Sequence, residues 1–248
     1  MFNSDWLTQL TQAQQQGTPL LLDEQPLAGT GRALSLAPHP DDPEAIAVTL
    51  RLLVEGGWQL SVAVATPAWS GVQDDYVGPD PREKARVREE EQRAALRLFG
   101  LPEEELTFLR LGENAAGDLD DTPENHRRFD EYLDAIAPDL LLCPNGEDSN
   151  PSHRLVHAWA LTWARQQGRP VIILGNEDPK STCFRPDLQI TFGEETATWK
   201  ATLLECHRSQ SIRNQRTRGI TFAQRILAVN RQADGRYAER FQIMSNCV

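Results

Sequence analysis

Apolar positions run along this chain in two alternating rhythms. Within residues 43–55, Ile46, Leu50 and Leu53 fall at helical spacing, and Gly56-Gly57 stops the run. Immediately afterwards Leu60, Val62 and Val64 alternate through residues 59–66, the period of a strand with one covered face. The succession continues on both sides. Residues 32–37 carry a short apolar run and form the first expected strand. Asp80-Pro81 opens a charged helix to Phe99, with Asp80 as cap, Pro81 in the first turn and Gly100 as stop. Residues 106–109 and 139–143 read as third and fourth strands, separated by a helix that Thr122-Pro123 opens and that runs to about Ile136. A helix over about 151–167 follows, then strands at 170–174 and 187–192. Helices near 195–208 and 221–231 precede a last strand-like run at 237–244, and residues 4–16 read as a short polar helix ended near Gly17 and Pro19.

Strands joined by crossover helices predict an α/β fold, a doubly wound, mostly parallel sheet with helices on both faces. In such sheets ligands lie at the carboxyl ends of the strands, where the strand order reverses. The loops after the first and fourth strands are therefore the ones to inspect. Residues 68–80 form a further loop, long enough to cover a site.

Composition narrows the classes. The chain has 248 residues, 40% of them apolar and 25% charged, which excludes a disordered or fibrous protein and fits one domain over residues 1–248. No internal repeat or low-complexity block interrupts it. The longest apolar stretches, such as residues 140–143, are far short of the ~18 residues that span a bilayer, so no membrane partner is expected. Residues 1–16 lack a basic segment followed by an apolar one, and four scattered cysteines without a C-x-x-C pair suit reduced thiols in the cytoplasm. A net charge of −11 with no basic run excludes nucleic acid as the main partner. Self-association into a homo-oligomer is compatible with all of this.

The loop after the first strand reads His39-Pro40-Asp41-Asp42-Pro43-Glu44. A Pro-bearing turn brings its first and fourth residues together, so His39 and Asp42 can share one metal while Asp41 points at the ion's open face. The plain alternative is an Asp-rich turn capping the next helix through Asp41 or Asp42. That alternative leaves the preceding His-Pro-Asp unexplained. After the fourth strand, residues 145–150 concentrate polar side chains and Pro151-Ser152-His153-Arg154 opens a helix. His153 is the candidate third ligand, because two His and one carboxylate with an open position form the pattern of a catalytic zinc site. Read alone it would be an exposed or capping histidine. His153 and His157 also stand four apart, as in H-E-x-x-H helices, but Arg154 occupies the place of the Glu base and His157 reads as helix packing. No G-x-S-x-G elbow, phosphate-binding Gly loop or G-x-G-x-x-G is present, which removes serine-hydrolase, kinase and dehydrogenase readings.

Taken together, these motifs resemble the PIG-L/LmbE-like N-deacetylases. His39 to Glu44 looks like the family's H-P-D-D-x-E signature, and Arg88 to Glu91 with Gly100-Leu101 its R-x-x-E helix and Leu-Gly turn. Pro138 to Leu142 is similar to its fourth strand, Asp148 to Arg154 to D-x-H-P-D-H-R, and Lys200 through His207-Arg208-Ser209-Gln210 to its late K…H-x-S-Q helix. The resemblance covers about residues 32–212 and leaves 213–248 as a carboxy-terminal extension. It implies a Rossmann-like, LmbE-like sheet and a zinc ion, with iron as a substitute, held by His39, Asp42 and His153. It implies Asp41 as general base and hydrolysis of an N-acetyl or related N-acyl group from an N-acetylglucosamine-type glycoside or small metabolite. Arg88 would orient a substrate hydroxyl or carboxylate, with an ion pair to nearby Glu residues as its structural alternative. His207 and Gln210 either border the pocket or pack the late helix.

The chain departs from the family in three places. Asn150 stands where the family carries His, Ser152 where it carries Asp, and residues 45–48 replace a Gly-rich stretch. Asn150 can donate to a developing oxyanion, yet it cannot protonate a leaving amine. Two further readings follow, a non-catalytic metal-bearing sugar-binding protein and an amidase acting on a non-sugar amide.

Overall fold

The computed structural model describes residues 5–246; Ser4, the expected start of the first helix, and Cys247 lie outside them. One eight-stranded sheet carries the fold, in the order β1-β7-β8-β6-β5-β2-β3-β4. Its strands are β1 (Leu20–Asp23), β2 (Arg32–Ala37), β3 (Gln59–Val64), β4 (Leu106–Phe108), β5 (Leu140–Pro144), β6 (Ile172–Asn176), β7 (Leu188–Phe192) and β8 (Tyr237–Asn246). All pairings are parallel except those of β8, which runs antiparallel between β6 and β7. The doubly wound, mostly parallel α/β sheet expected from the alternation is thus present.

Strand β5 is buried at every position, and this explains why it reads as an apolar run rather than an alternating one. Ala33, Leu140 and Leu142 face one core with Leu50, Leu53, Trp58 and Phe241, while Leu34, Leu36 and Leu141 face the other with Phe129, Val156 and Trp163. From β2 the chain winds outward to β3 and β4, then returns to place β5 on the other side of β2. The order therefore reverses between β2 and β5. Their carboxyl-end loops open side by side, where α/β sheets bind ligands.

Four details differ from the sequence reading. β1 was not expected; three consecutive leucines at the sheet edge are too short a signal to separate strand from loop. The helix over 43–55 starts as a 3-10 turn, Pro43–Ile46, before α2 (Ala47–Glu55). The single helix near 195–208 is α7 (Glu194–Leu204), and a separate helix, α8 (Arg208–Arg218), follows a break at residues 205–207. Glu91 makes that second start possible: its carboxylate accepts from the backbone N–H and hydroxyl of Ser209, both at 2.7 Å. The expected late helix and last strand are present as α9 (Phe222–Asn230) and β8, but β8 lies inside the sheet, where it joins β7 to β6.

β8 is anchored by a buried ion pair. Lys200 Nζ on α7 meets Glu239 Oε1 at 2.6 Å, and Glu239 also accepts from the backbone N–H groups of Val48 and Thr49 in the first turn of α2. The carboxylate thus serves both a cation and a helix N-terminus, the arrangement that lets a charge stay buried. No helix of the described residues is long and apolar enough to cross a membrane.

Candidate metal centre and its pocket

His39 and Asp42 leave the end of β2 in a tight turn, and His153 enters from the first turn of α6 (Pro151–Gln166). His39 Nδ1 lies 3.3 Å from Asp42 Oδ2, His153 Nε2 lies 3.6 Å from the same oxygen, and the three ligand atoms fall within 4.8 Å of one another. Ligand atoms on a tetrahedral ion with bonds of about 2.0–2.1 Å stand roughly 3.3 Å apart. The spacing and the donor set of two imidazoles and one carboxylate fit zinc. Asp42 does not cap the following helix through its side chain, contrary to the plain alternative. Its Oδ2 accepts the His39 backbone N–H at 2.9 Å, which closes the turn.

His153 is oriented from behind. Asp148 Oδ2 sits 2.9 Å from His153 Nδ1, leaving Nε2 to face the cluster, and this carboxylate-imidazole pairing is typical behind a metal ligand. Burial and the Lys180 ammonium push the His153 pKa down, but Asp42 and Asp148 outweigh them and leave it raised. Burial alone dominates at His39 and lowers its pKa. Burial opposes the charge of Asp42, yet the two imidazoles beside it hold its carboxyl well below the usual range.

Asp41 occupies the same turn but faces the pocket with a φ of +98°, a left-handed conformation that is costly for a residue with a side chain. Two residues one helical turn apart on α4 (Pro81–Phe99) hold it there. Arg88 Nη1 meets Asp41 Oδ2 at 3.1 Å and its other terminal nitrogen donates to the Pro40 carbonyl. Gln92 Oε1 accepts the Asp41 backbone N–H at 2.8 Å. Arg88 therefore pairs with Asp41, not with the neighbouring glutamates, which are engaged by Arg93 and Arg110 at Glu89 and by Ser209 at Glu91. The relay goes further: Gln92 Nε2 donates to Glu44 Oε1 at 2.8 Å, and Glu44 Oε2 lies 2.9 Å from His207 Nε2.

Asn150 lines the pocket and is also the N-cap of α6, its Oδ1 accepting from Ser152 N at 2.9 Å. That use turns the amide NH2 into the remaining donor of the side chain. Ser152 is fully buried and accepts the Leu119 backbone N–H at 2.9 Å. His157 points away from the cluster, its Nδ1 3.1 Å from the Pro144 carbonyl, as the failed H-E-x-x-H spacing implies.

A cavity of about 320 Å³ opens over these groups. Gln210 borders it through a bond from Nε2 to the Gly71 carbonyl, whereas His207 packs beneath, on Glu44. Several lining residues carry no local sequence signal. Lys180 stands 3.3 Å from His153 Nε2 on the loop after β6, a position only the strand-end rule could have suggested. Arg213 and Arg225 reach the rim from α8 and α9, whose packing sequence periodicity did not show.

A family model described as PIG-L, GlcNAc-PI de-N-acetylase, matches residues 34–164, just over half of the chain. No curated protein sequence matches at a significant level. Among solved structures the chain is similar to an N,N'-diacetylchitobiose deacetylase from Pyrococcus horikoshii, with 19% identity over 86% of this chain and 83% of that one, at a TM-score of 0.69. A teicoplanin deacetylase in a zinc-inhibited form matches with 17% identity over 86% of this chain and 97% of that one, at a TM-score of 0.65. The 4-carboxy-2-hydroxymuconate hydratase of Pseudomonas putida matches with 18% identity over 88% and 97%, at a TM-score of 0.61. At such identities the likeness is one of fold, and a hydratase beside deacetylases marks the difference between fold and reaction.

Proposed function

This chain belongs to the PIG-L family of GlcNAc-PI de-N-acetylases, and from that premise we propose that it is a zinc-dependent hydrolase that removes an N-acetyl group from a small acetamido sugar. The observation that carries the reading is the convergence of His39, Asp42 and His153 within 4.8 Å beside the pocket-facing Asp41. A bound zinc ion supplies Lewis-acid polarisation of an amide carbonyl and acidification of water.

The chain's own groups do the rest. Asp41 takes the proton of the attacking water, its carboxylate held in one orientation by Arg88 through Oδ2. Asn150 offers its amide NH2 to the carbonyl oxygen as charge develops there. Lys180 adds a cation on the same wall. The half-closed cavity keeps these dipoles out of bulk water, where they act most strongly.

A specific observation favours a second reading, a metal-bearing sugar-binding protein without turnover. Asn150 spends its oxygen on the α6 cap and cannot hand a proton to the leaving amine. The two readings part in one experiment, acetate release from a panel of acetamido sugars by parent and Asp41→Asn, with metal content measured alongside. The deacetylase reading expects turnover in the parent, metal retained in Asp41→Asn, and a loss of ~10²–10⁴ in rate. Zinc-loaded parent that binds acetamido sugars without releasing acetate would establish the second reading instead.

A further inference from the structure

We infer that the substrate carries an anionic substituent, a carboxylate or a phosphate, which Arg213 and Arg225 bind at the rim of the pocket. The inference deepens the deacetylase reading and rests on it for the acetamido end of the molecule.

Charge distribution is the first observation. The chain carries 36 acidic against 25 basic side chains, so carboxylates are in excess. Many arginines elsewhere have found them, among them Arg51 with Glu24, Arg110 with Glu89, Arg216 with Asp75 and Arg240 with Glu177. Arg213 and Arg225 have neither an ion pair nor a side-chain hydrogen bond among the described residues, although both line the cavity. Arg218, the third arginine of this rim, bonds among the described residues only to the neighbouring Thr217 hydroxyl.

Their placement is the second observation. α8 ends at Gly219, with a φ of +74°, and α9 returns beside it, so the hairpin brings Arg213, Arg218 and Arg225 to one side of the opening. Arg213 reaches far enough that a Cβ on Gly71, across the pocket wall, would stand 3.7 Å from its Nη1. Burial and then the repulsion of Arg88 and Arg218 lower the Arg213 pKa, and burial with Arg218 lowers that of Arg225. Asp41 and Asp178 attract these guanidinium groups from a distance without contacting them. Arg213 is exposed and Arg225 half-buried, so both guanidinium groups are open to a ligand that enters from solvent. Phe222 and Ile226 line the same side, an apolar surface beside the charged one. A ligand with a ring on Phe222 and Ile226 and an anion between Arg213 and Arg225 satisfies both surfaces at once.

The test compares acetate release by the zinc-loaded protein from N-acetylglucosamine, its 6-phosphate and N-acetylmuramic acid at fixed ionic strength. Expected is a kcat/KM at least tenfold higher on one or both anionic sugars, and their ranking separates phosphate from carboxylate. Arg213→Ala and Arg225→Ala should each cost about tenfold or more on the preferred anion, through KM, and at least several-fold less on N-acetylglucosamine. Arg213→Lys should recover part of the loss, and matching thermal midpoints exclude unfolding. Equal or better use of the neutral sugar, or equal losses on all three sugars, would overturn the inference. Calorimetric binding of glucosamine 6-phosphate, muramic acid and glucosamine to the parent and the double arginine variant separates this failure from that of the deacetylase reading. Charge-selective binding that the double variant loses, without acetate release from any sugar, keeps the anion site and rejects the deacetylase. Binding with no charge preference rejects the anion site even where acetate is released.

Discussion

Gln92 Oε1 receives the backbone N–H of Asp41 at 2.8 Å, at the one point of the His39–Asp42 turn where a residue with a side chain adopts a φ of +98°. A residue held there costs about 1–3 kcal/mol, which the surrounding contacts must offset. Gln92 does so from a buried position and simultaneously holds Glu44, which holds His207. The pocket-facing direction of Asp41 is thus a property of α4 and of the segment that leads into α8 as much as of its own loop.

Replacing Gln92 should therefore act on catalysis through backbone geometry. Gln92→Ala leaves a buried N–H and a buried carboxylate oxygen without a partner, at a cost of about 1–3 kcal/mol per group. The expected outcome is a lower unfolding midpoint in urea and a fall in turnover at full zinc loading. Wild-type turnover in Gln92→Ala would show that Asp41 keeps its direction without this support.

Asp148 should set metal affinity without touching the metal. Its bond to His153 Nδ1 fixes the ring, and loss of such a partner weakens binding by about 10–100-fold. Competition of Asp148→Asn with a chromophoric zinc chelator measures this. His39→Ala and His153→Ala should lose the metal outright, whereas His157→Ala, whose ring lies on the Pro144 carbonyl, should retain parental affinity.

Asn150 caps α6, and its proposed oxyanion role is separable from the cap by two substitutions. Asn150→Asp keeps an oxygen for the α6 cap but removes the amide donor, so stability should hold while turnover falls by about 10²–10³. Asn150→Ala removes both and should add a stability loss of about 0.5–2 kcal/mol. Denaturant unfolding and steady-state kinetics on one acetamido substrate read the two effects apart. Unchanged turnover in Asn150→Asp would remove Asn150 from the oxyanion role.

Glu113 should make stability pH-dependent near neutrality. Burial raises its pKa to about 7, against the backbone N–H groups of Ala68 and Trp69 and the charge of Arg88. The folded state therefore holds a proton that the unfolded state releases near pH 4.5. The resulting stabilisation is present at low pH and fades as pH rises from about 4.5 through about 7. Glu113→Gln should be closest to the parent in stability at pH 5 and gain on it by pH 8. Parallel pH profiles of the thermal midpoint would refute this.

Much of the sheet was legible from sequence because its signals are local. Leu60, Val62 and Val64 alternate within one strand, Asp80-Pro81 and Gly100 punctuate one helix, and β5 is apolar throughout because both its faces are covered. The clustering of His39, Asp42 and His153 was legible for a related reason. His39 and Asp42 lie in one turn at a strand end and His153 opens the next relevant helix, so the rule for strand ends suffices to bring them together.

What the sequence by itself determined, then, is the succession of elements and the chemistry placed at two strand ends, since periodicity, caps and turn residues act over a few positions. The tertiary structure alone decided the rest. β8 enters the sheet because Glu239 finds Lys200 and the start of α2, residues separated from it by 39 and 190 positions or more. α8 begins where Glu91, 118 residues earlier, accepts Ser209. Lys180, Arg213 and Arg225 gather round Asp41 only because separate loops and helices converge on one cavity. No window along the chain contains such pairings, for their energies arise between surfaces that meet only once the sheet has folded.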